Sequence, residues 1–243
     1  MKNVKMVVTA AAIVAMACGS AMAGPTGQIN IPSTDAKGLK EVTISVNNNA
    51  RFSTAADAGA NLYDVGVVTG LLPYEKLKIE VGADYGTVGS PATKQPMTYN
   101  AKLATSEDAL FKGLPAFAIG AYNLGAVNAT SNAQNIAYAL TARTFPVVGR
   151  LSVGGYNGAQ TALGKNNNTG VLASWDRTIS EVSDKLWLGI DYMSGSNADG
   201  EVSVGGSWAF SKQITLLTGV TFYNKAALAG KTAFTTQLSI NLP

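Results

Sequence analysis

The sequence contains no histidine, and its single cysteine is Cys18. Without histidine, His-dependent hydrolase and phospholipase arrangements and His-containing zinc sites are excluded. The segment from Gly158 to Lys165 superficially resembles a phosphate-binding loop, but it has one residue too many between its glycines, and Asn166 stands where Ser or Thr is required. The sequence therefore predicts no enzyme activity, no catalytic residue, no cofactor and no metal site.

Charged residues are also scarce, at 14% of the chain, and the net charge is +3. Two of the positive charges, Lys2 and Lys5, belong to an N-terminal segment that we interpret as a leader, and the net charge falls to +1 without them. A nearly neutral chain offers no basic surface for nucleic acid. We expect no nucleic-acid partner.

Residues 1–23 have the three parts of a secretory signal peptide: a basic start, an apolar run, and the small-residue cleavage site Ala21-Met22-Ala23. Cys18 leaves a second interpretation open, in which earlier cleavage yields a lipid-modified cysteine. Cleavage before Gly24 instead gives a mature chain without cysteine, which forms no disulfide. No apolar run of about 18 residues follows the leader, so any membrane-spanning structure must be a β-barrel.

After the leader, apolar and polar residues alternate in segments of about ten residues, as spanning strands require. Leu188 and Ile190, for example, share one face, whereas Trp187 and Asp191 share the other. This period of two predicts strands, and their length exceeds the ~5 to 6 residues of most soluble strands, which favours a barrel over a soluble sandwich. We predict an all-β fold, an antiparallel up-and-down transmembrane β-barrel of about 12 strands in residues 39–243, preceded by an irregular N-terminal arm in residues 24–38.

The predicted connections alternate between compact turns and longer loops rich in Asn, Gly, Ala or Thr. Transmembrane barrels have short periplasmic turns and longer outer loops, and an even number of strands then places both termini in the periplasm. The three Trp residues fall toward the inner strand ends with Phe117, Phe145 and Phe210, whereas all tyrosines but Tyr74 fall toward the outer ends, as the two interfaces of a bilayer favour. The tyrosines assigned to the outer ends are Tyr63, Tyr85, Tyr99, Tyr122, Tyr138, Tyr156, Tyr192 and Tyr223.

These patterns resemble the porin-like β-barrels of bacterial outer membranes, and the resemblance covers residues 39–243. It implies an integral outer-membrane protein of a Gram-negative cell envelope, surrounded by outer-membrane lipid. The chain departs from the family in one respect, because members commonly end in an aromatic residue, whereas this sequence ends in Leu242-Pro243.

Charged residues inside the predicted strands indicate which face points into the barrel. A basic residue facing lipid at the bilayer midplane costs about 2 to 4 kcal/mol, so the charged face is expected to form a polar lumen. The predicted lumen-lining residues are Glu41, Asp64, Lys78, Glu80, Asp84, Lys102, Arg143, Arg150, Asp176, Lys185, Asp191 and Glu201.

Hairpin registers centred on the connections predict which of these charges face each other. The predicted pairs are Glu80–Lys102, Asp176–Lys185, Asp64–Asp84, Asp191–Glu201 and Arg143–Arg150. The first two pairs join opposite charges, whereas the other three oppose like charges, which is destabilising without screening or a counter-ion. The like-charged pairs predict an acidic outer mouth and a basic inner end.

Two functions are compatible with such a barrel. The first is a porin-like channel for passive diffusion of ions or small solutes, because twelve strands enclose more space than a side-chain-filled eight-stranded barrel. The second is a non-conducting barrel with a structural, adhesive or partner-sheathing role, which gains support if residues 24–38 plug the lumen. The residue pattern predicts neither a particular solute nor an oligomeric state.

Overall fold

The computed structural model describes residues 24–88, 96–125 and 133–242, so the predicted signal peptide lies outside the described residues. Twelve antiparallel strands form a closed barrel in which sequence neighbours pair and the first strand pairs with the last. This confirms the predicted all-β, 12-stranded barrel. The strands are β1 (Val42–Arg51), β2 (Leu62–Gly70), β3 (Leu77–Thr87), β4 (Met97–Thr105), β5 (Ala116–Leu124), β6 (Ile136–Phe145), β7 (Gly149–Asn157), β8 (Thr169–Thr178), β9 (Leu186–Met193), β10 (Glu201–Ala209), β11 (Ile214–Tyr223) and β12 (Ala233–Leu242).

The two ends of the barrel differ in their connections. Residues 71–76, 106–115, 146–148, 179–185 and 210–213 connect strands at what we call the turn end. Segments 52–61, 158–168, 194–200 and 224–232, which are longer on average, lie at the loop end, which carries helices α1 (Gln160–Leu163) and α2 (Ala226–Ala229). Within the described ranges, no helix has the length and apolar character needed to cross a membrane.

Side chains alternate between a buried inner face and an exposed outer face. In β2, Asp64 and Val68 are buried, whereas Val65 and Val67 are 48% and 41% exposed. Similar exposed apolar residues surround the barrel, including Ile119, Leu151, Val153, Val171, Ile190 and Val204. A continuous apolar belt of this kind is unfavourable in water and suits a hydrocarbon environment.

The barrel closes between β1 and β12. Their register runs over ten residue pairs, from Val42 opposite Leu242 to Arg51 opposite Ala233. Closure supplies partners to backbone groups that an open sheet edge would leave unpaired, and such groups are costly in hydrocarbon. The twelve described strands therefore form a sheet without a free edge, which a barrel in a membrane requires.

Candidate functional site

Much of the segment that precedes β1 lies inside the lumen. We call residues 24–40 the arm, which extends the predicted N-terminal arm by two residues. The arm folds as a hairpin, since Gln28 N donates to Ile31 O at 2.8 Å and Ser33 N donates to Thr26 O at 3.2 Å. Residues 28–34 are buried at the apex and on the returning leg. Leu39 forms a bridge with Gly70 at the end of β2, so the returning leg leaves through the turn end.

The apex of the arm hairpin is held by one carboxylate of β9. Asp191 Oδ2 accepts backbone N–H groups from Ile29, Asn30 and Ile31, at 2.9, 2.7 and 3.2 Å. Asp191 has no exposed surface. Three hydrogen bonds to an ionised oxygen offset part of the cost of removing its charge from water.

Further polar contacts join the apex to strands on the same side of the barrel. Asn30 Nδ2 donates to Ser203 Oγ and Thr221 Oγ1, both at 2.9 Å. Gln237 Nε2 donates to Ile29 O at 2.6 Å. The apex is therefore bonded to β9, β10, β11 and β12.

A buried ion pair holds both legs of the arm on the opposite side. Glu80 accepts Thr26 N at 2.7 Å, Thr26 Oγ1 at 2.5 Å and Lys37 N at 2.9 Å. Lys102 Nζ lies 3.4 Å from Glu80 Oε1 and donates to Thr26 O at 2.7 Å. Glu80 and Lys102 face each other in the register that the sequence predicts.

A third carboxylate contacts the arm closer to the turn end. Asp176 Oδ1 accepts from Gln28 Nε2 and from Arg150 Nε, both at 2.9 Å, and Asp176 Oδ2 accepts from Trp187 Nε1 at 3.1 Å. Arg150 Nη1 also donates to Asp35 of the arm at 2.8 Å. Arg150 therefore joins the barrel wall to the returning leg of the arm.

One side of the lumen is apolar, which corrects the prediction of a polar lumen. Ile31 of the arm is 1% exposed and belongs to a cluster with inward side chains of β5 to β9. The larger wall members are Tyr122, Ile136, Tyr138, Leu140, Tyr156, Leu172 and Met193. These residues fill part of the interior and give the arm an apolar anchor.

Two glycines on the wall make room for the arm. A Cβ at Gly70 would collide with the backbone oxygen of Gly38, and a Cβ at Gly205 would lie 3.3 Å from Ile29 Cδ1. Any side chain at Gly70 would therefore require the arm to move. Glycine at these two positions therefore allows the arm to pack closely against the wall.

A cleft with a mixed polar and apolar lining remains between the arm and the wall formed mainly by β1 and β10 to β12. Its volume is about 390 Å³, and it extends from Lys185 at the turn end to Asn47 in β1. The apolar part of the wall includes Val68, Trp187 and Leu217, and the hydroxyl and amide side chains of the wall include Thr43, Ser45, Ser207, Thr215, Gln237 and Ser239. Such a surface can hydrate ions or hydrogen-bond small polar solutes.

Arg51 joins two connections at the loop end of the barrel. The Arg51 guanidinium donates to the carbonyl oxygens of Ala229, Lys231 and Ala60, at 2.8, 2.5 and 3.4 Å. Its Cζ lies 4.4 Å from the centre of the Tyr223 ring, which is a cation–π contact. Arg51 therefore fastens segments 52–61 and 224–232 to each other.

The twelve predicted lumen residues fall into three groups. Nine lie in strands on the inward face, namely Asp64, Lys78, Glu80, Asp84, Lys102, Arg150, Asp176, Asp191 and Glu201. Glu41 lies just before β1, where its Oε2 accepts Gly38 N at 2.6 Å, and Lys185 borders the cleft just before β9. The twelfth residue, Arg143, lies elsewhere.

Arg143 was wrongly assigned to the lumen. It lies on the outward face of β6, and its Nη1 contacts Asp108 Oδ1 at 2.9 Å and Glu107 Oε2 at 3.3 Å in the β4–β5 connection. The error has a physical cause, because Ile136 and Tyr138 occupy the inward face of β6. The prediction assumed that the apolar face of each strand contacts lipid, whereas in β6 the apolar face points into the lumen.

Four of the five predicted charge pairs have a different register. Asp64 faces Gly86 and Asp84 faces Gly66, while Asp191 faces Ser203, Glu201 faces Met193, Asp176 faces Gly189 and Arg143 faces Leu151. When the centre of a hairpin connection moves by one residue, the residue that faces a given position on the neighbouring strand changes by two. The sequence did not define the centres of these connections accurately. Asp64 and Asp84 therefore lie diagonally rather than directly opposite.

The tyrosine cluster in the lumen is a feature that the sequence analysis missed. Tyr122, Tyr138 and Tyr156 are 1%, 5% and 3% exposed and face inward, whereas Tyr63 and Tyr85 are 43% and 49% exposed and face outward. The signal was present in β6, where the large residues alternate with alanines. A strand with its bulky residues inward and small residues outward indicates a filled interior.

No protein-family model matches the chain. No curated protein matches it either. A solved structure that resembles it is the COG4313 outer membrane channel from Pseudomonas putida F1, at 10% identity and a TM-score of 0.53, over 88% of this chain and 100% of that chain.

Two further solved structures show weaker likenesses. A triple mutant of the Rhodopseudomonas blastica porin has 12% identity and a TM-score of 0.39, over 86% of this chain and 75% of the porin chain. Salmonella typhi OmpF in complex with daunomycin has 8% identity and a TM-score of 0.36, over 83% of this chain and 96% of that chain. The likeness to the Pseudomonas protein concerns the fold, and the protein therefore has the closed-barrel fold of an outer-membrane channel.

Proposed function

We propose that this protein is an integral channel of the bacterial outer membrane for passive diffusion of ions or small polar solutes, with both termini in the periplasm. The observation that carries the proposal is the cleft of about 390 Å³, which has hydroxyl, amide and lysine side chains on its barrel wall. The outward apolar belt supports a bilayer location. The orientation follows from the short connections at the turn end, where β1 begins and β12 ends.

The charged residues that border this cleft are Lys37 of the arm, Asp184 and Lys185, whereas the nine predicted charges on the inward strand faces lie outside its lining. The hydroxyl and amide groups of the lining are able to hydrogen-bond a hydrated ion or a small polar solute. No group of three or more Cys, His, Asp or Glu side chains in the described parts of the chain is arranged to bind a metal ion. In this proposal the protein transports without chemical conversion and uses no cofactor.

A second candidate function is a non-conducting barrel with a structural role. The arm favours it, because residues 28–34 are buried inside the lumen and Asp191 and Glu80 have no exposed surface. The two candidates differ in whether the cleft beside the arm carries current.

Single-channel recording on the purified, refolded protein tests the proposal. Ser45→Trp places an aromatic ring in the cleft, whereas Ile44→Trp changes the adjacent outward residue of β1. We expect discrete conductance steps that Ser45→Trp reduces and Ile44→Trp leaves unchanged. A folded protein without conductance, or equal steps in both variants, would contradict diffusion through this cleft.

A further inference from the structure

The arm is attached to the wall mainly by hydrogen bonds to side chains. Among the described residues, its one bridge to a barrel strand joins Leu39 to Gly70 near the start of β1, while the hairpin bridge Gly27–Pro32 is internal to the arm. A segment with this attachment can leave the lumen without breaking the β-ladder, because water can replace its bonds to the wall.

We propose that the arm is an autoinhibitory plug, and that its departure converts the barrel into a wider path that prefers cations. This inference rests on the proposed channel function and adds a regulatory element and an ion class to it. With the arm in place, the interior holds a hairpin whose apex touches β9, β10, β11 and β12 and whose legs touch Glu80 of β3. The arm therefore crosses the lumen, and the cleft lies at one side of it.

Ile31 is the apolar anchor of the plug. It is 1% exposed within the apolar cluster of the wall, against which Ala36 of the arm also packs, whereas the arm contacts to Asp191, Glu80 and Asp176 are hydrogen bonds. A charged side chain at this position would have to be buried without a partner, which is costly. Changing Ile31 to a charged residue therefore expels the arm while leaving every residue of the wall unaltered.

The ion preference follows from the groups that the arm covers. The backbone N–H groups of residues 29–31 and of Lys37 lie against Asp191 and Glu80, where they supply positive partial charge. When the arm leaves, mobile cations take over this role at the two carboxylates. The inward strand faces carry six acids and four bases, namely Asp64, Glu80, Asp84, Asp176, Asp191, Glu201, Lys78, Lys102, Arg150 and Arg51. The emptied lumen is therefore net acidic and concentrates cations.

The experiment compares the parent with Ile31→Glu, and uses Ile31→Leu as the control that keeps an apolar side chain of similar volume. Thr34→Cys reports arm position in each background, since Thr34 is 4% exposed and its hydroxyl makes no hydrogen bond within the described residues. The mature chain that follows cleavage before Gly24 contains no other cysteine. A small charged thiol reagent then measures access, and bilayer recording measures conductance and reversal potential.

We expect Ile31→Glu to raise both the labelling rate and the conductance several-fold and to shift the reversal potential toward cation selectivity. Ile31→Leu should behave as the parent does. Heat-dependent gel mobility verifies that each barrel is folded. If Ile31→Glu does not fold, Asp191→Asn, which weakens the hold on the apex, is measured for the same labelling and conductance changes.

The contradicting results are distinct for the two proposals. Faster labelling with unchanged conductance shows that the arm leaves but does not limit current, and it overturns the plug. Equal labelling in the parent and in both releasing variants overturns it as well. A released, folded barrel that passes no current contradicts the channel function itself.

Discussion

Lys102 and Glu80 face each other across β4 and β3, with Nζ and Oε1 3.4 Å apart and neither side chain exposed to solvent. The same ammonium donates to Thr26 O, and the same carboxylate accepts from Thr26 N, at 2.7 Å each. The ion pair and one residue of the arm therefore form a single hydrogen-bonded unit. Removing either charge leaves the other buried without its main compensation.

This unit predicts strong coupling between the two charges. We expect Lys102→Met alone to lower the free energy of unfolding by about 3 to 5 kcal/mol, because it leaves the Glu80 carboxylate buried and uncompensated. Glu80→Gln combined with Lys102→Met should cost less than the sum of the single changes. Urea unfolding in lipid vesicles measures the free energy of unfolding of the parent, the two single variants and the double variant. The exposed Glu41→Gln serves as control. Additive losses would mean that the pair is not an energetic unit.

A second prediction tests which face of β10 contacts lipid. Val204 is 46% exposed on the outward face, whereas Ser207 lines the cleft. Val204→Arg should impair membrane insertion, because arginine at the bilayer midplane costs about 2 to 4 kcal/mol. Ser207→Arg should insert normally and reduce conductance. Heat-dependent gel mobility measures insertion, and the opposite order of the two variants would reverse the assignment of faces.

A third prediction concerns Arg51 at the loop end. Arg51→Lys keeps the charge but loses the planar group that reaches several carbonyl oxygens and stacks on Tyr223. We expect faster proteolysis within residues 52–61 and 224–232 and unchanged proteolysis in residues 194–200. Uniformly faster cleavage at all three loops would show a global loss of stability instead. Mass spectrometry of the fragments distinguishes these results.

A fourth prediction concerns pH at the turn end. The hydrogen bond from Arg143 to Asp108, followed by the one from Gly113 N, lowers the pKa of Asp108 below its ordinary value. A lowered pKa in the folded state stabilises the connection at pH values above about 3.9, and this stabilisation is lost as the pH falls through the lowered pKa. The exposed Leu110 and Phe111 in this connection are suitable sites for pepsin.

Pepsin cleavage should therefore be slower in the parent than in Asp108→Asn at weakly acidic pH. The two rates should converge at the acidic end of the range, where Asp108 is protonated in the parent. Comparing the two proteins at each pH cancels the pH dependence of pepsin. A constant ratio of rates across the range would show that Asp108 does not hold the connection.

The sequence predicted the barrel well because period-two alternation and strand length report on the membrane rather than on individual contacts. The strands have 8 to 11 residues, close to the segments of about ten residues that the pattern predicts. Glu80 and Lys102 were also paired correctly, since the register of their hairpin happens to be centred on its connection. These features depend on local pattern, which a single sequence contains.

The direction of the β6 face could not be derived in the same way. Its inward residues Ile136, Tyr138 and Leu140 are as apolar as a lipid-facing set, so its single charge, Arg143, decided the prediction incorrectly. The tyrosines pack there because Ile31 of the arm supplies apolar surface from inside. A long-range contact of this kind leaves no periodic signal in either segment.

The arm was the least predictable part of the site. Its residues have no sustained period, and its partners Glu80, Asp176 and Asp191 lie on three different strands. Each of these carboxylates is an ordinary inward charge in its own strand. Their shared role appears only when the barrel closes and brings them around one segment.

The arm continues directly into β1, so it remains tethered to the mouth that it leaves. A short tether gives a segment an effective concentration on the order of millimolar at its own binding site. A free peptide with the arm sequence must exceed that concentration to compete for the lumen. Each barrel would therefore open and reclose as an independent unimolecular unit, at a rate that does not depend on how many copies the membrane contains.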